Sequence, residues 1–306
     1  MQTGLNGYLK TAFFIIVMLH LTPPLLKNVV RYWENRTNPT NKIGYLVINE
    51  SIHSSTEYNK HLHAFFKDTD IKAIIIKLDS PGGAAGSSQA LMQEIELLKA
   101  KYPKPIVSYV ENICTSGAYA VAAATDHIVS TGSAIIGSIG SKISTQFKVK
   151  KLLEKYDIQT ETIASGKYKS LLDPFTETTE EQRAALQKIS DDAYNQFVAD
   201  IAQRRHLSIE NSSQWAEGQI FTGKQAYDLH LVDKIGNLST AIEFIKKHII
   251  PTNRKIELVE VAQKNRLQQW FHNPSESFET DVYQSIENKL FARFVQFLEN
   301  PKINSL

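Results

Sequence analysis

The stretch AIIIKLDSPGG at residues 73–83 joins a run of apolar residues to a glycine-rich turn. A short apolar run rich in β-branched residues is typical of a buried strand. Residues 87–102 follow, with Leu91, Ile95 and Leu98 at the spacing of a helix. Residues 73–102 therefore predict a strand, a tight turn and a helix, which is the first part of a parallel βαβ unit.

The same alternation of apolar runs and helical periods continues on both sides of this unit. It predicts an α/β fold with a mainly parallel sheet. The sequence T-T-E-E at the start of one long helical stretch is typical of a capping box. Further predicted strands cover residues 43–48, 105–110, 127–130, 160–164 and 255–261, and further predicted helices cover residues 55–66, 116–125, 149–156, 178–206, 224–229 and 239–248.

The composition excludes several classes of protein. Of the 306 residues, 42% are hydrophobic and 22% are charged, as in ordinary globular proteins. The net charge is +2 and no long run of like charges occurs, so we expect no nucleic-acid partner. The single cysteine, Cys114, excludes an internal disulfide framework and a multi-cysteine metal site.

The amino-terminal residues resemble a membrane anchor. Residues 11–26 carry no charge and would span about 24 Å as a helix, slightly less than a ~30 Å hydrocarbon core. Pro23, Pro24 and His20 count against a spanning helix, and no small-residue cleavage site follows the apolar block. A single anchor is the preferred interpretation; a cleaved signal peptide and a soluble helix remain alternatives.

These patterns divide the chain into four parts. We expect an apolar anchor at residues 1–30, a polar linker at 31–42, one large domain at 43–250 and an extension at 251–306 to which the sequence assigns no role.

Two glycine-containing segments at strand ends predict a site for acyl transfer. In TSGAY (residues 115–119), Ser116 begins a helix of small residues and is a candidate nucleophile, although a plain helix N-cap is an alternative. In DSPGG, Gly82 and Gly83 can present backbone N–H groups as an oxyanion hole, although a simple strand–helix turn is an alternative. A third segment, IIGSIG at residues 135–140, also follows a strand.

A serine nucleophile needs a base. None of the nine histidines lies in a comparable glycine-rich setting. A lysine serves as a base when it is neutral, and burial lowers a lysine pKa from about 10.4 towards 7. The segment SGKYKSLLDPF (residues 165–175) offers Lys167 and Lys169, and their spacing does not choose between them.

Taken together, these segments resemble the signal peptide peptidase A family of serine proteases. The order DSPGG, S-G-A-Y, G-S-I-G, then S-G-x-x-K with D-P-F matches that family, and the similarity continues through GQIFTGKQAYDLHLVDKIG at residues 218–236. It covers roughly residues 43–248. The resemblance implies a fold like that of Clp proteases and crotonases, a spiral of βαβ units with helical extensions.

The resemblance also implies a role for individual residues. The nucleophile falls on Ser116 and the base on Lys169, with Ser138 of G-S-I-G as the serine that hydrogen-bonds the lysine. The oxyanion donors fall on the backbone N–H groups of Gly83 and Gly117. The sequence departs from the family pattern at residue 230, a histidine before L-V-D where a glycine is usual, and at residues 118–120.

The resemblance implies partners and a location as well. Its substrates are polypeptides, such as remnant signal peptides and unfolded or membrane-proximal chains. It implies a homo-oligomer in which neighbouring copies or repeats bring serine and lysine together, and no metal or organic cofactor. The expected location is the cell membrane, with one membrane pass and the catalytic domain on the extracytoplasmic side.

Other functions fit the same pattern less well. A crotonase-type acyl-CoA enzyme shares the fold but usually employs carboxylates. A non-catalytic scaffold would have no need of Ser116, Lys169 and Ser138. A phage-type capsid protease would need no apolar anchor. Cys114 lies two residues before Ser116, and we interpret it as a buried packing thiol.

Overall fold

A sheet of eight described strands forms the centre of the protein. The computed structural model describes residues 40–143, 147–248 and 255–260. The strands are β1 (Asn41–Ile48), β2 (Ile71–Ser80), β3 (Ile106–Thr115), β4 (His127–Ser130), β5 (Ile135–Gly137), β6 (Ile220–Thr222), β7 (Lys234–Ile235) and β8 (Ile256–Glu260).

Helices connect these strands. They are α1 (Thr56–Lys67), α2 (Ala85–Lys101), α3 (Gly117–Ala123), α4 (Lys150–Lys155), α5 (Glu180–Arg205), α6 (Gly223–Asp228) and α7 (Leu238–His248), with a 3₁₀ helix at Ile209–Gln214. All seven residues of α3 are buried, as expected for a helix whose side chains are mostly small and apolar on every side.

The sheet is parallel except at one pair of strands. The order is β6-β5-β3-β2-β1-β8, and only β5 and β6 run antiparallel among the described pairs. The long strand β3 pairs with β4 along Val107–Val110 and with β5 along Ile113–Thr115. Strand β7 pairs in parallel with β4. The first half of β3 therefore has a different neighbour from the second half. The glycine-rich turns after β2 and β3 lie side by side.

Both faces of the sheet are buried, as is usual for parallel sheets. On one face, Ile43, Ile75, Val107 and Val129 pack with Ala241 and Ile245 of α7. Helix α2 buries an apolar stripe as well, made of Leu91, Met92, Ile95 and Leu98. The prediction of an α/β fold with a mainly parallel sheet is confirmed.

One predicted strand is wrong. Residues 160–164 form no strand, and Ile163 is 92% exposed. Their alternating pattern suits a strand, but a strand needs a neighbour to pair its backbone groups, and no described strand pairs with these residues.

Some boundaries also differ. Strand β1 begins at Asn41, inside the predicted linker, and β8 pairs in parallel with β1, so the sheet extends past residue 250. The capping box of α5 joins Thr179 to Gln182, one residue later than the T-T-E-E pattern indicates. The predicted anchor at residues 1–30 and most of the extension lie outside the described residues. Within the described ranges, no helix has the length and apolar character needed to cross a membrane.

Candidate active site

Ser116 occupies a strained turn between β3 and α3. Its φ of 54° and ψ of −128° lie in a region that residues with a side chain rarely adopt. Such a conformation costs about 1–3 kcal/mol and is found most often at functional sites. The backbone N–H of Ser116 donates to the Gly137 carbonyl at 2.8 Å, which fixes the turn against β5. The Ser116 side chain makes no capping hydrogen bond, so the alternative of a plain N-cap does not describe this residue.

The turn after β2 is fixed by Ser80 and Ile52. The Ser80 hydroxyl donates to the Glu50 carbonyl at 2.7 Å and accepts from the Gly82 N–H at 3.2 Å. Ile52 donates to the Gly82 carbonyl and accepts from the Ala84 N–H, forming a parallel bridge centred on Gly83. In such a bridge the N–H of the central residue points away from its partner. The Gly83 N–H therefore points away from Ile52.

Gly83 and Gly117 lie next to each other. A Cβ on Gly117 would lie 3.6 Å from the Gly83 nitrogen and 2.1 Å from the Ser88 Oγ atom. A Cβ on Gly83 would lie 2.3 Å from the Ile52 carbonyl oxygen. Both positions therefore require glycine. Within the described part of the chain, neither of these two N–H groups donates to another protein group, which leaves both available to a developing oxyanion.

Ser138 directly follows β5, the strand that pairs with the end of β3 before Ser116. It follows Gly137, has a φ of 51°, and its N–H donates to the Gln219 carbonyl at 2.6 Å. Ser116, Ser138, Gly83 and Gly117 all line one cavity of about 860 Å³. The walls of this cavity come from α2 and α5 and include Ser88, Gln89, Met92, Ala193, Gln196, Phe197 and Asp200.

Lys169 does not line this cavity. It lies in an exposed turn before α5, where its N–H donates to the Gly166 carbonyl at 3.0 Å. Among the residues described, its ammonium group has no carboxylate partner. The structure thus brings together four of the five predicted site residues in one copy of the chain, and it leaves Lys169 apart from them.

Lys167 differs from Lys169 in its environment. Its ammonium group forms an ion pair with Glu181, which also accepts a hydrogen bond from the Tyr168 hydroxyl at 3.0 Å. The hydrogen bond to Glu181 raises the pKa of Lys167 above its ordinary value. A base must lose its proton readily, so this pairing disfavours Lys167 for that role.

Comparisons with known proteins point to one family. The sequence model of Peptidase family S49 matches residues 98–249. A protein from Synechocystis sp. with a protease name is 34% identical over 207 residues, which are 67% of this chain and 73% of that protein. The chain belongs to Peptidase family S49.

Two further S49 relatives match a smaller part of their own length. A protein from Methanocaldococcus jannaschii, also named as a protease, is 36% identical over 62% of this chain and 60% of its own length. The chloroplastic serine protease SPPA of Arabidopsis thaliana is 37% identical over 63% of this chain and 28% of its own length. The chain thus corresponds to less than two thirds of each of these two relatives.

Cys114 is not a nucleophile in this S49 chain. It is fully buried in β3, and burial raises the pKa of its thiol far above its ordinary value. A thiol that is buried and stays protonated does not react as a nucleophile. The prediction of a buried packing thiol is confirmed.

Helices α3 and α5 both form hydrogen bonds with the segment L-V-D at residues 231–233 or with the residue before it. The Tyr119 hydroxyl of α3 donates to the Leu231 carbonyl at 2.8 Å. Arg205, at the end of α5, donates to both carboxylate oxygens of Asp233 and to the His230 carbonyl. His230 has a φ of 61°, a conformation that favours the glycine usual at this position.

Sequence reasoning did not single out Ser88 and Lys142, two of the residues that line the cavity. Ser88 is buried on α2, and Lys142 lies on the exposed side of the cavity after β5. A serine inside a helix has no distinctive local pattern. Lys142 lies two residues after G-S-I-G, and that proximity was the one available signal.

Proposed function

We propose that the protein is a serine endopeptidase in which Ser116 is the nucleophile and Lys169 is the general base. The observation that carries the proposal is the strained Ser116 beside the two unpaired N–H groups of Gly83 and Gly117, in a cavity large enough for a peptide segment. Membership of Peptidase family S49 and the name of the Arabidopsis relative support it.

The chemistry follows from these positions. Neutral Lys169 takes the hydroxyl proton of Ser116 as the Ser116 oxygen attacks the carbonyl carbon of a peptide bond. The N–H groups of Gly83 and Gly117 stabilise the oxyanion. The amine leaves with the proton from Lys169, which Ser138 orients, and a water molecule then releases the acyl group from Ser116.

Lys169 reaches Ser116, in this proposal, from a neighbouring copy of the chain. Two observations support this arrangement. Lys169 lies outside the cavity of its own copy. The segment around it exposes large apolar side chains, a feature typical of protein interfaces: Phe147, Leu152, Tyr156, Ile158, Ile163, Tyr168, Leu172 and Phe175. Packing of a second copy there would remove solvent from Lys169, and loss of solvent favours the neutral amine.

The substrates that we propose are remnant signal peptides and other unfolded or membrane-proximal polypeptides. The proposal also places a membrane anchor at residues 1–30 and the peptidase domain, which extends from β1 to β8, on the extracytoplasmic side. The apolar amino-terminal residues and the motif resemblance support it. Release of the full chain from membranes by alkaline carbonate would contradict the anchor.

The test is cleavage of an unfolded protein, casein, by the purified full-length chain in mild detergent. We expect Ser116→Ala and Lys169→Ala each to lower the rate by at least ~1,000-fold, because the two groups act as one unit. Lys167→Ala is the matched control and should keep wild-type activity, since its amine is paired with Glu181. Cleavage by Ser116→Ala would remove the assignment, and absence of cleavage by the wild type would favour a non-catalytic scaffold.

A further inference from the structure

Gln182 is a buried polar residue in the first turn of α5, and the proposed mechanism does not use it. The residue is 8% exposed, and its side-chain amide makes two hydrogen bonds. The amide oxygen accepts from the Thr179 N–H at 3.1 Å, which completes the capping box of α5. The amide nitrogen donates to the backbone carbonyl of Lys167 at 2.9 Å. Gln182 therefore joins the start of α5 to the turn that carries Lys169.

The second hydrogen bond distinguishes glutamine from glutamate at this position. Either residue completes a capping box, because each offers a side-chain oxygen to the N–H of the N-cap residue. Only the amide also carries N–H donors, since an ionised carboxylate accepts hydrogen bonds and donates none. The contact with the Lys167 carbonyl thus uses a property of Gln182 that helix capping does not require.

A second capping box in the chain lacks this contact. Gln225 accepts from the Thr222 N–H at 2.9 Å at the start of α6. Gln225 is exposed, and its amide nitrogen donates to no group among the described residues. The burial of Gln182 and its contact with Lys167 are therefore specific to the turn before α5.

Gln182 is also the best shielded contact between this turn and α5. The Lys169 N–H donates to the Gly166 carbonyl at 3.0 Å, so Lys169 belongs to the same turn as Lys167. Glu181 reaches the turn through its ion pair with the Lys167 side chain, but both of these side chains are more than half exposed. Exposed ion pairs contribute little. Water competes less for a hydrogen bond made by a buried side chain such as Gln182.

We infer that Gln182 is a positioning residue for the general base, since it holds the turn at residues 166–169 against α5 and so sets where Lys169 meets the site of a neighbouring copy. The inference rests on the proposed function. Lys169 is exposed, and its ammonium group has no carboxylate partner among the described residues, so the backbone of the turn determines its position. Displacement of a catalytic group by about 1 Å can lower a rate by about 100-fold.

Gln182→Glu separates the two hydrogen bonds, because it keeps the capping box and removes the donor to the Lys167 carbonyl. The substrate is a quenched fluorescent peptide copied from a casein site that the wild type cuts. We expect kcat to fall about 10- to 100-fold and KM to stay within about twofold, because substrate binding does not need the base. The melting temperature should fall by no more than about 4 °C, the effect of about one hydrogen bond.

Gln225→Glu is the matched control. It makes the same change in the exposed capping box of α6 and should keep the wild-type kcat. Gln182→Met has a similar length and no polar group, so it should lose the cap as well and show the same fall in kcat. A wild-type kcat in both Gln182 variants would overturn the inference, and so would an equal loss in Gln225→Glu.

Mixed oligomers of two inactive chains show where Gln182 acts. When Ser116→Ala and Lys169→Ala chains assemble together, the Ser116→Ala chain supplies the base. Gln182→Glu on that chain should lower the activity of the mixture about 10- to 100-fold, and on the Lys169→Ala chain it should have no effect. Equal effects from either chain would overturn the inference, because a damaged fold would act from both.

The outcome for Gln182 is separable from that for the proposed function. Cleavage by the wild type and none by Ser116→Ala would support the peptidase whatever Gln182→Glu does. Inactive mixtures of the single variants would overturn the shared site and with it the inference, while the peptidase assignment would stand. A wild type that fails to cleave would overturn both.

Discussion

At the scale of single residues, the site depends on backbone conformations that only a few residue types tolerate. Ser116 and Ser138 both have positive φ angles, and Gly83 and Gly117 have no space for a side chain. The strain at Ser116 persists because the surrounding structure fixes it, with Gly137 as its backbone partner. The strained backbone at Ser116 therefore lowers the stability of the fold at a residue that lines the cavity.

Replacement of Ser116 by glycine should make the protein more stable than replacement by alanine. Both changes remove the hydroxyl, but glycine adopts a positive φ without steric cost. We expect the free energy of unfolding of Ser116→Gly to exceed that of Ser116→Ala by about 0.5–1 kcal/mol, after the greater chain entropy of glycine is included. Urea denaturation of the two inactive variants measures this difference. Equal stabilities would show that the turn is not strained.

Gly83 should not tolerate a methyl group. The new Cβ atom would lie 2.3 Å from the Ile52 carbonyl oxygen, and backbone atoms cannot move aside easily. We expect Gly83→Ala to lose about 2–3 kcal/mol of stability and to lose casein cleavage, as measured by thermal unfolding and by the cleavage assay.

Gly86→Ala is the control for this change. Gly86 is exposed on α2, and a Cβ there would meet no atom within 4 Å. Because alanine favours helix over glycine, this variant should gain about 0.5 kcal/mol. A Gly83→Ala protein as stable as wild type would contradict the close approach of Ile52.

The sequence predicted some residues of the site better than others. Ser116, Ser138, Gly83 and Gly117 carry recognisable glycine-containing motifs, and the structure places all four on one cavity. Lys167 and Lys169 could not be separated by spacing, because only the position of Glu181 in space shows which lysine is paired.

At the scale of helices and strands, local pattern was a good guide to the long elements. The apolar strands β1 to β3 and the long helix α5 lie within about five residues of their predicted ranges. The short strands β5 to β7 were not predicted and residues 160–164 were predicted wrongly, since a strand depends on a partner that local sequence does not reveal. The pairing of β3 with both β4 and β5 also depends on contacts distant in sequence.

The ion pair between α5 and the L-V-D segment should contribute strongly to stability. The Arg205 side chain is 9% exposed and makes two hydrogen bonds to Asp233. Arg205→Ala would leave that carboxylate without its main partner, and we expect a loss of about 2–4 kcal/mol. Urea denaturation measures it.

Lys224→Ala provides the comparison with an exposed ion pair. Lys224 pairs with Asp228 at 2.5 Å on the surface of α6, with both side chains more than half exposed. Its removal should cost less than about 0.5 kcal/mol. If Arg205→Ala were equally mild, the ion pair at Asp233 would not be what holds the end of α5.

At the scale of the whole molecule, two features of the single chain support the proposed oligomer. The proposed base lies outside the cavity, and the segment that carries it exposes apolar side chains to solvent. The motif resemblance implies a site shared between copies, but composition gives no sign of one, because burial between copies depends on surface shape. A neighbouring copy that covers this segment would account for both observations.

A site shared between copies is tested most directly by the activity of oligomers that mix two inactive variants. Ser116→Ala and Lys169→Ala chains would carry different affinity tags, be co-expressed, and be purified through both tags to isolate mixed oligomers. If each site takes Ser116 from one copy and Lys169 from another, random assembly leaves both groups intact in about a quarter of all sites, and selection of mixed oligomers raises this fraction to at most about a half, the value for a dimer. We therefore predict casein cleavage at about a quarter to a half of the wild-type rate. Mixed oligomers that contain Ser116→Ala and the Ser116→Ala/Lys169→Ala double variant should stay inactive. No recovery in doubly tagged oligomers of the two single variants would contradict a site shared between copies.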